Sequence, residues 1–221
     1  MAAIEGIVHV CERVEFDLGE VHRCFDVIRA ESFVAGLHAA YKRDPSALGP
    51  NTRANYEMGA KMSLADSAWA QSEQTRIFQR FQSAFSKYDV ILSPTTPVSP
   101  FPWTELFASS VEGRPQENYY RWLALTYVVT LTTHPALSLP CGLDEAGMPF
   151  GLQIVGPFRG DSQTLAISYA FEQAFADSST LRRPRPDLLQ LREANPSLKS
   201  LVTSPPILNP SGSGTSGLSM V

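Results

Sequence analysis

Thr126-Tyr-Val-Val-Thr-Leu-Thr-Thr-His-Pro-Ala-Leu-Ser-Leu-Pro-Cys-Gly142, continuing to Gly147-Met-Pro-Phe-Gly-Leu-Gln-Ile-Val-Gly-Pro157, is the stretch on which the fold turns. Ala136–Pro140 and Pro149–Val155 are short apolar runs bounded by Pro and Gly, which marks buried strands rather than helices. Asp144-Glu-Ala-Gly147 between them is a turn with a glycine placed for positive φ, so the two runs are expected to form a hairpin. Gly151 and Gly156 suit close backbone approach, and Pro140 and Pro149 are expected at strand ends, where a missing N–H is tolerated.

Upstream, Asp89-Val-Ile-Leu-Ser93 is a third strand candidate, closed by Pro94 and Pro97. A long helix precedes it, opened by the Ser63/Asp66 capping box and carried to about Tyr88 by Leu64, Ile77, Phe81 and Phe85. This is the longest helix the periodicity predicts. Another is expected from Asp17, with Glu20 three residues on, to about Tyr41, where Asp44-Pro45 and Gly49-Pro50 break the pattern. Ile4, Ile7, Val8 and Cys11 place an amphipathic helix over Ala2–Val14. Residues 94–115 hold five prolines and read as an irregular excursion anchored by Phe101, Trp103 and Phe107, with helical composition resuming over 116–130. After the hairpin, Asp161 caps a helix carried by Leu165, Ile167, Phe171 and Phe175. Residues 1–192 thus form one folded segment. Residues 193–221, with Pro205-Pro206 and Ser211-Gly-Ser-Gly-Thr-Ser-Gly217, have the composition of a flexible tail.

Eighteen Lys and Arg against 22 Asp and Glu give a net charge of −4, the opposite of the basic excess a nucleic-acid binder shows. Arg182-Arg183-Pro184-Arg185 is too short and proline-broken to be more than a solvated basic segment. No apolar run reaches membrane-spanning length, and the N-terminus has neither the basic nor the apolar part of a signal peptide. Three cysteines without CxxC spacing argue against a disulfide scaffold or zinc, and fit a reduced cytoplasm. The four histidines, His9, His22, His38 and His134, never fall at metal-ligand spacing, so no metal or other cofactor is expected. Nucleophile-elbow, phosphate-loop and dinucleotide motifs are absent. Gly212-Ser-Gly-Thr-Ser-Gly217 imitates a catalytic Gly/Ser loop, but it lies in the tail without rigid neighbours to hold a nucleophile near a base.

Tyr88-Asp-Val-Ile-Leu-Ser-Pro-Thr-Thr-Pro97, together with the Pro-Ala-Leu-Ser-Leu-Pro-Cys-Gly and Gly-Met-Pro-Phe-Gly-Leu-Gln-Ile-Val-Gly blocks, resembles the C-terminal part of an amidase-signature hydrolase. The resemblance covers about residues 1–190. It implies an α/β fold in which a mixed sheet is covered by helices, with the sheet incomplete in this chain, and a parent activity of hydrolysing carboxylic amide C–N bonds. In that family a Lys-Ser-Ser triad in an upstream Gly/Ser-rich region performs the chemistry. None of Lys42, Lys61, Lys87 and Lys199 begins a segment of that type, and Ser109-Ser110 and Ser178-Ser179 lack its flanking glycines. No residue here inherits the triad, so no catalytic residue is assigned.

The resemblance therefore separates family from activity. The chain is expected to be a fragment inactive by itself, with an upstream amidase-signature polypeptide as partner and a small amide as substrate of the completed enzyme. The alternatives are one component of a split amidase and a non-catalytic binding module. If a pocket is shared between the halves, Thr95, Thr96, Phe101, Trp103, Tyr127, Thr130, Thr133 and His134 combine aromatic surface with polar groups and would form its wall. The other reading makes Trp103 and Tyr127 core and lets the threonines satisfy nearby backbone. Cys141 reads as a small buried hydrophobe, not a nucleophile. Three strands are not expected to make a sheet with both faces covered, so apolar stripes should be left exposed.

Overall fold

The computed structural model describes residues 4, 6–102 and 105–193. The tail beyond 193 and Trp103 lie outside the described residues. Three helices come first: α1 (Val21–Arg43), α2 (Pro50–Ala60) and α3 (Leu64–Ala84). Strand β1 (Ile91–Pro94), the small hairpin β2 (Ser110–Val111) and β3 (Arg114–Pro115), and helix α4 (Ala124–Thr132) follow. The chain then runs through β4 (Ala136–Leu143), β5 (Pro149–Val155) and α5 (Asp161–Ala176).

The expected hairpin is β4–β5, and β1 joins it on the far side of β5, giving a sheet of order β1-β5-β4 with both pairings antiparallel. Along β5 the pleat sends alternate residues to opposite faces. Leu152 and Ile154 pack with Leu139, Cys141, Phe171 and Phe175 under α5. Val155 instead meets Phe81 of α3 and Val129 of α4. Both faces of the central strand are therefore covered. Edge strand β4, however, leaves Ala136, Ser138 and Pro140 exposed on the Val155 face, so the sheet as a whole is not closed on both faces, as expected of three strands. The cover over Val155 forms because α3 and α4, from opposite sides of β1 in sequence, pack together. Gln153, buried at 6% exposure on the α4 face, donates to Ser93 Oγ at 2.9 Å and to the Leu125 carbonyl at 2.9 Å. One amide thereby holds β1, β5 and α4 together.

Several local expectations change. In place of the helix expected over 2–14, the described residues from Ile4 close one turn, with the Ile7 and Val8 N–H groups donating to the Ile4 carbonyl. Residues 10–19 have no regular structure. Val10 and Val14 are β-branched and Gly6 weakens the turn, while Ile4, Ile7 and Val8 pack on the sheet core instead. Helix α1 starts at Val21, not at Asp17, whose carboxylate accepts the Gly19 N–H at 2.9 Å. Gly19 is left-handed at φ +70°, and a Cβ there would collide with Arg80 and Glu73 of α3, so the helix cannot begin earlier.

Pro45 and Pro50, read as breaks, each open a helical turn instead. Pro at the first position costs no hydrogen bond, so Pro50 starts α2 and Pro45 a 3-10 turn capped by Asp44. The Ser63/Asp66 capping box forms as expected and opens α3, although α1, at 23 residues, is longer than α3 at 21. Glu112 and Gly113, with φ of 49° and 74°, make the β2–β3 turn inside the supposedly irregular excursion. Pro140 lies within β4 rather than at its end. The register slips between Pro140 and Leu143, and β4 is an edge strand, so the missing donor is absorbed by a bulge. Asp161 is the first residue of α5 and makes no capping bond; Gly160 stands at the cap.

Candidate functional site

Helix α1 presents Asp26 and Arg29 toward the turn Arg121–Leu123 that leads into α4. Asp26 accepts from Tyr120 Oη and from Arg121 Nη2, both at 2.8 Å. Arg121 Nη1 donates to Tyr127 Oη at 3.0 Å, and that hydroxyl lies 2.5 Å from His22 Nδ1. Arg29 donates to Tyr119 Oη and to Asn55 Oδ1, which brings α2 into the same network. Phe25 stacks on Tyr127 at 4.1 Å and roofs it.

The network joins two stretches about a hundred residues apart and sets its own charges. Burial opposes the Arg121 charge, but hydrogen bonds to Tyr127 and Asp26 and the Asp26 charge outweigh it, so the guanidinium is held protonated above its usual range. Burial, then the bond to Asp26, raises the Tyr120 phenol well above its ordinary value. Burial and then the Arg121 charge lower His22, keeping that imidazole neutral and able to accept from Tyr127. Composition and periodicity hide this set, because its members share no motif. The one available signal was the density of Tyr and Arg over Tyr119-Tyr120-Arg121-Trp122.

The residues read as a pocket wall take separate places. Thr95 Oγ1 pairs with Ser138 Oγ at 2.8 Å, and its N–H donates to the Gly151 carbonyl, so it extends β1 along β5. Thr96 is exposed and bonds the Val98 carbonyl. Phe101 meets Trp122 edge-on at 5.5 Å. Tyr127 is buried in the network described above. Thr130 is exposed on α4 and bonds the Thr126 carbonyl, while Thr133 ends α4 in the left-handed region at φ 57°.

His134 points the other way, among Phe78, Phe81, Phe85 and Phe158. Its Nδ1 lies 2.8 Å from the Thr132 carbonyl and its Nε2 2.7 Å from the Gln82 side-chain amide. Burial lowers its pKa against the pull of that carbonyl. Gln82 presents its Oε1 to Nε2 and Thr132 its carbonyl to Nδ1; a neutral ring donates through only one nitrogen, so only one of these two acceptors is served at a time. With both His22 and His134 depressed in the fold, the unfolded chain binds more protons at mildly acid pH. Stability is therefore expected to fall as pH drops below about 6.5. Urea midpoints measured from about pH 7.5 to 5.5 should decrease, and less so in His134→Gln.

A mixed-charge cleft of about 520 Å³ runs between α1, α2 and the start of α3, lined in part by Arg23, Asp26, Glu57 and Lys61. Among the described residues no hydrogen bond joins a lysine to a serine, and no three His, Cys, Asp or Glu side chains group as metal ligands. Cys141 is buried and its thiol pKa is raised by burial. No described helix is long and apolar enough to cross a membrane.

The sequence profile of the Amidase family matches residues 15–165, which takes in every element from α1 to the first turn of α5. This chain belongs to the amidase family. The A subunit of glutamyl-tRNA(Gln) amidotransferase from Synechococcus elongatus is 46% identical to it over 105 residues, covering 48% of this chain and 21% of that relative. The corresponding protein of Halothermothrix orenii is 37% identical over 116 residues, covering 52% and 22%. The amidase-family chain thus spans about a fifth of the length of the curated relatives it matches.

Among solved structures, an amidase superposes with a TM-score of 0.71 at 23% identity, over 78% of this chain and 39% of that one. A bacterial aryl acylamidase of the amidase-signature family gives 0.61 at 22% identity, over 73% and 35%. At these identities the superpositions speak for the fold alone.

Proposed function

We propose that this amidase-family chain supplies the C-terminal part of an amide hydrolase, and that the nucleophile and its base stand on an upstream polypeptide. The observation that carries the reading is a family match over residues 15–165 in a sequence with no Lys-Ser-Ser set. By itself the chain hydrolyses no amide. Acyl transfer needs an activated nucleophile, an aligned base and preorganised oxyanion donors, and it carries none of the three. The upstream polypeptide is either continuous with this chain or a separate one. The relatives are by name subunits of an amidotransferase, which is compatible with a partner chain. Of the residues read as a wall, Thr95, Thr96, Phe101, Thr130 and Thr133, which keep exposed surface, and Trp103 remain its proposed members, whereas Tyr127 and His134 are buried and support the fold behind it. Residues 193–221 are a dispensable tail and the compartment is the cytoplasm.

The test is hydrolysis of simple aliphatic and aryl amides by the chain alone and by the chain co-expressed with the upstream part of the Synechococcus elongatus relative. The lone chain should stay at background and the pair should turn over. Replacing the upstream nucleophilic serine should remove about 10⁴-fold or more of the rate. Ser213→Ala and Cys141→Ala should leave kcat within about twofold, since neither side chain is part of the chemistry. Turnover by the lone chain that vanishes on either of those two substitutions would overturn the reading.

A further inference from the structure

We infer that the open side of β1, with the apolar groove beside it, is where the upstream catalytic part docks, by laying an extended segment along that strand. This rests on the function proposed above and goes further by assigning the contact surface. β1 ends the order β1-β5-β4, and among the described residues only β5 pairs with it. Its outer backbone groups form an edge ready to accept another strand. Alongside lies a groove of about 530 Å³, walled by Val8, Val10, Val14, Val90, Leu92 and Phe150 among others.

Val8, Val90, Leu92 and Phe150 also pack against the core cluster of Leu139, Leu152, Ile154 and Phe171. The groove is thus the core itself, left open at one flank. Val10 stands on it 66% exposed. Open apolar core beside an unpaired edge is a combination that folded proteins cover.

What covers it is set by what the chain lacks. The chain superposes on only 39% of the solved amidase, so most of that fold lies in polypeptide this chain does not contain. A strand apolar on its groove side fits the lining. The nearest charges, Glu12 and Arg13, sit among the lining residues, and Glu12 is already held by Lys87 and Tyr88. The groove therefore selects for buried apolar surface rather than for charge.

Cys11 lines the same groove and is partly exposed, whereas Cys24 and Cys141 are buried, with their thiol pKa values raised by burial, that of Cys24 to about 11. It reports on occupancy through iodoacetamide alkylation followed by peptide mapping. In the co-expressed pair, Cys11 alkylation should slow at least about tenfold relative to the lone chain. Val10→Glu should weaken association about tenfold while leaving the circular dichroism and melting of the lone chain unchanged. Leu165→Glu, on the 59% exposed side of α5, should leave association unchanged.

An active pair in which Cys11 stays reactive and Val10→Glu binds normally overturns the docking surface while the functional reading stands. Failure to pair or to turn over at all sinks both. Protection of Cys11 in the lone chain, lost on dilution or on deleting residues 194–221, assigns the groove to a second copy or to the tail and overturns the inference.

Discussion

Phe171→Ala is expected to destabilise the chain by about 4 kcal/mol, a cost typical of emptying a large buried aromatic site. Phe171 is 2% exposed on α5 and faces Leu139, Cys141, Leu152 and Ile154, with Phe175 edge-on at 5.7 Å. It is the main contact through which α5 covers the Leu152/Ile154 face of the sheet. That face is rigid, because β5 is paired on both sides and cannot shift to fill the space. Leu165→Ala on the same helix should change stability by less than about 0.5 kcal/mol, since its side chain stands in solvent. Urea unfolding followed by far-UV circular dichroism measures both. A small, equal effect at the two positions would mean that α5 does not cover the sheet. A domain of this kind is stable by only about 5–15 kcal/mol, so the Phe171 variant should stand near the limit of folding at about 37 °C.

Asp26→Ala is expected to cost about 3 kcal/mol, through the charge it strands rather than the contact it removes. Arg121 is only 11% exposed and Asp26 24%, so the guanidinium cannot recover its lost partner from water. Glu117, 3.1 Å away but 75% exposed, softens the loss and keeps it at the lower end of the range for buried pairs. Tyr120 Oη loses its acceptor in the same step. The comparison is Arg13–Glu15, with side chains 87% and 86% exposed, where Glu15→Ala should be almost silent. A double-mutant cycle with Arg121→Leu should show a coupling of about 1–3 kcal/mol, because that second substitution leaves no guanidinium to strand. Additive effects would show that the two side chains act independently.

The hairpin was legible because its information is local. Asp144 to Gly147 specifies the turn, the apolar runs on either side have strand length, and glycines mark where the backbone must come close. A Cβ at Gly142 or Gly156 would collide with Thr180 or Thr164, so two of those glycines are explained by neighbours outside the hairpin. The α3 capping box was equally readable, since Ser63 and Asp66 satisfy each other's backbone within four residues. Residues 2–14 mislead for the same reason in reverse. Their spacing suits a helix, but Ile4, Ile7 and Val8 find a better apolar surface on the sheet. Pro50 looks like a stop in the sequence and is a start in the fold, because proline serves as either, depending on which side the hydrogen bonds fall.

By itself, then, the sequence determined the family, the hairpin and the long helices, all of which rest on residue type, short-range spacing or a contiguous motif. Tertiary structure decided the rest. It placed β1 beside β5 rather than β4, covered both faces of the central strand, and sent His134 into an aromatic cluster away from Tyr127. It also gathered His22, Asp26, Arg121 and Tyr127 into one network. The physical reason is the range of the forces involved. Turns, caps and hydrophobic period are satisfied within a few residues, whereas pairing a buried charge or closing a core depends on which distant segments exclude water together.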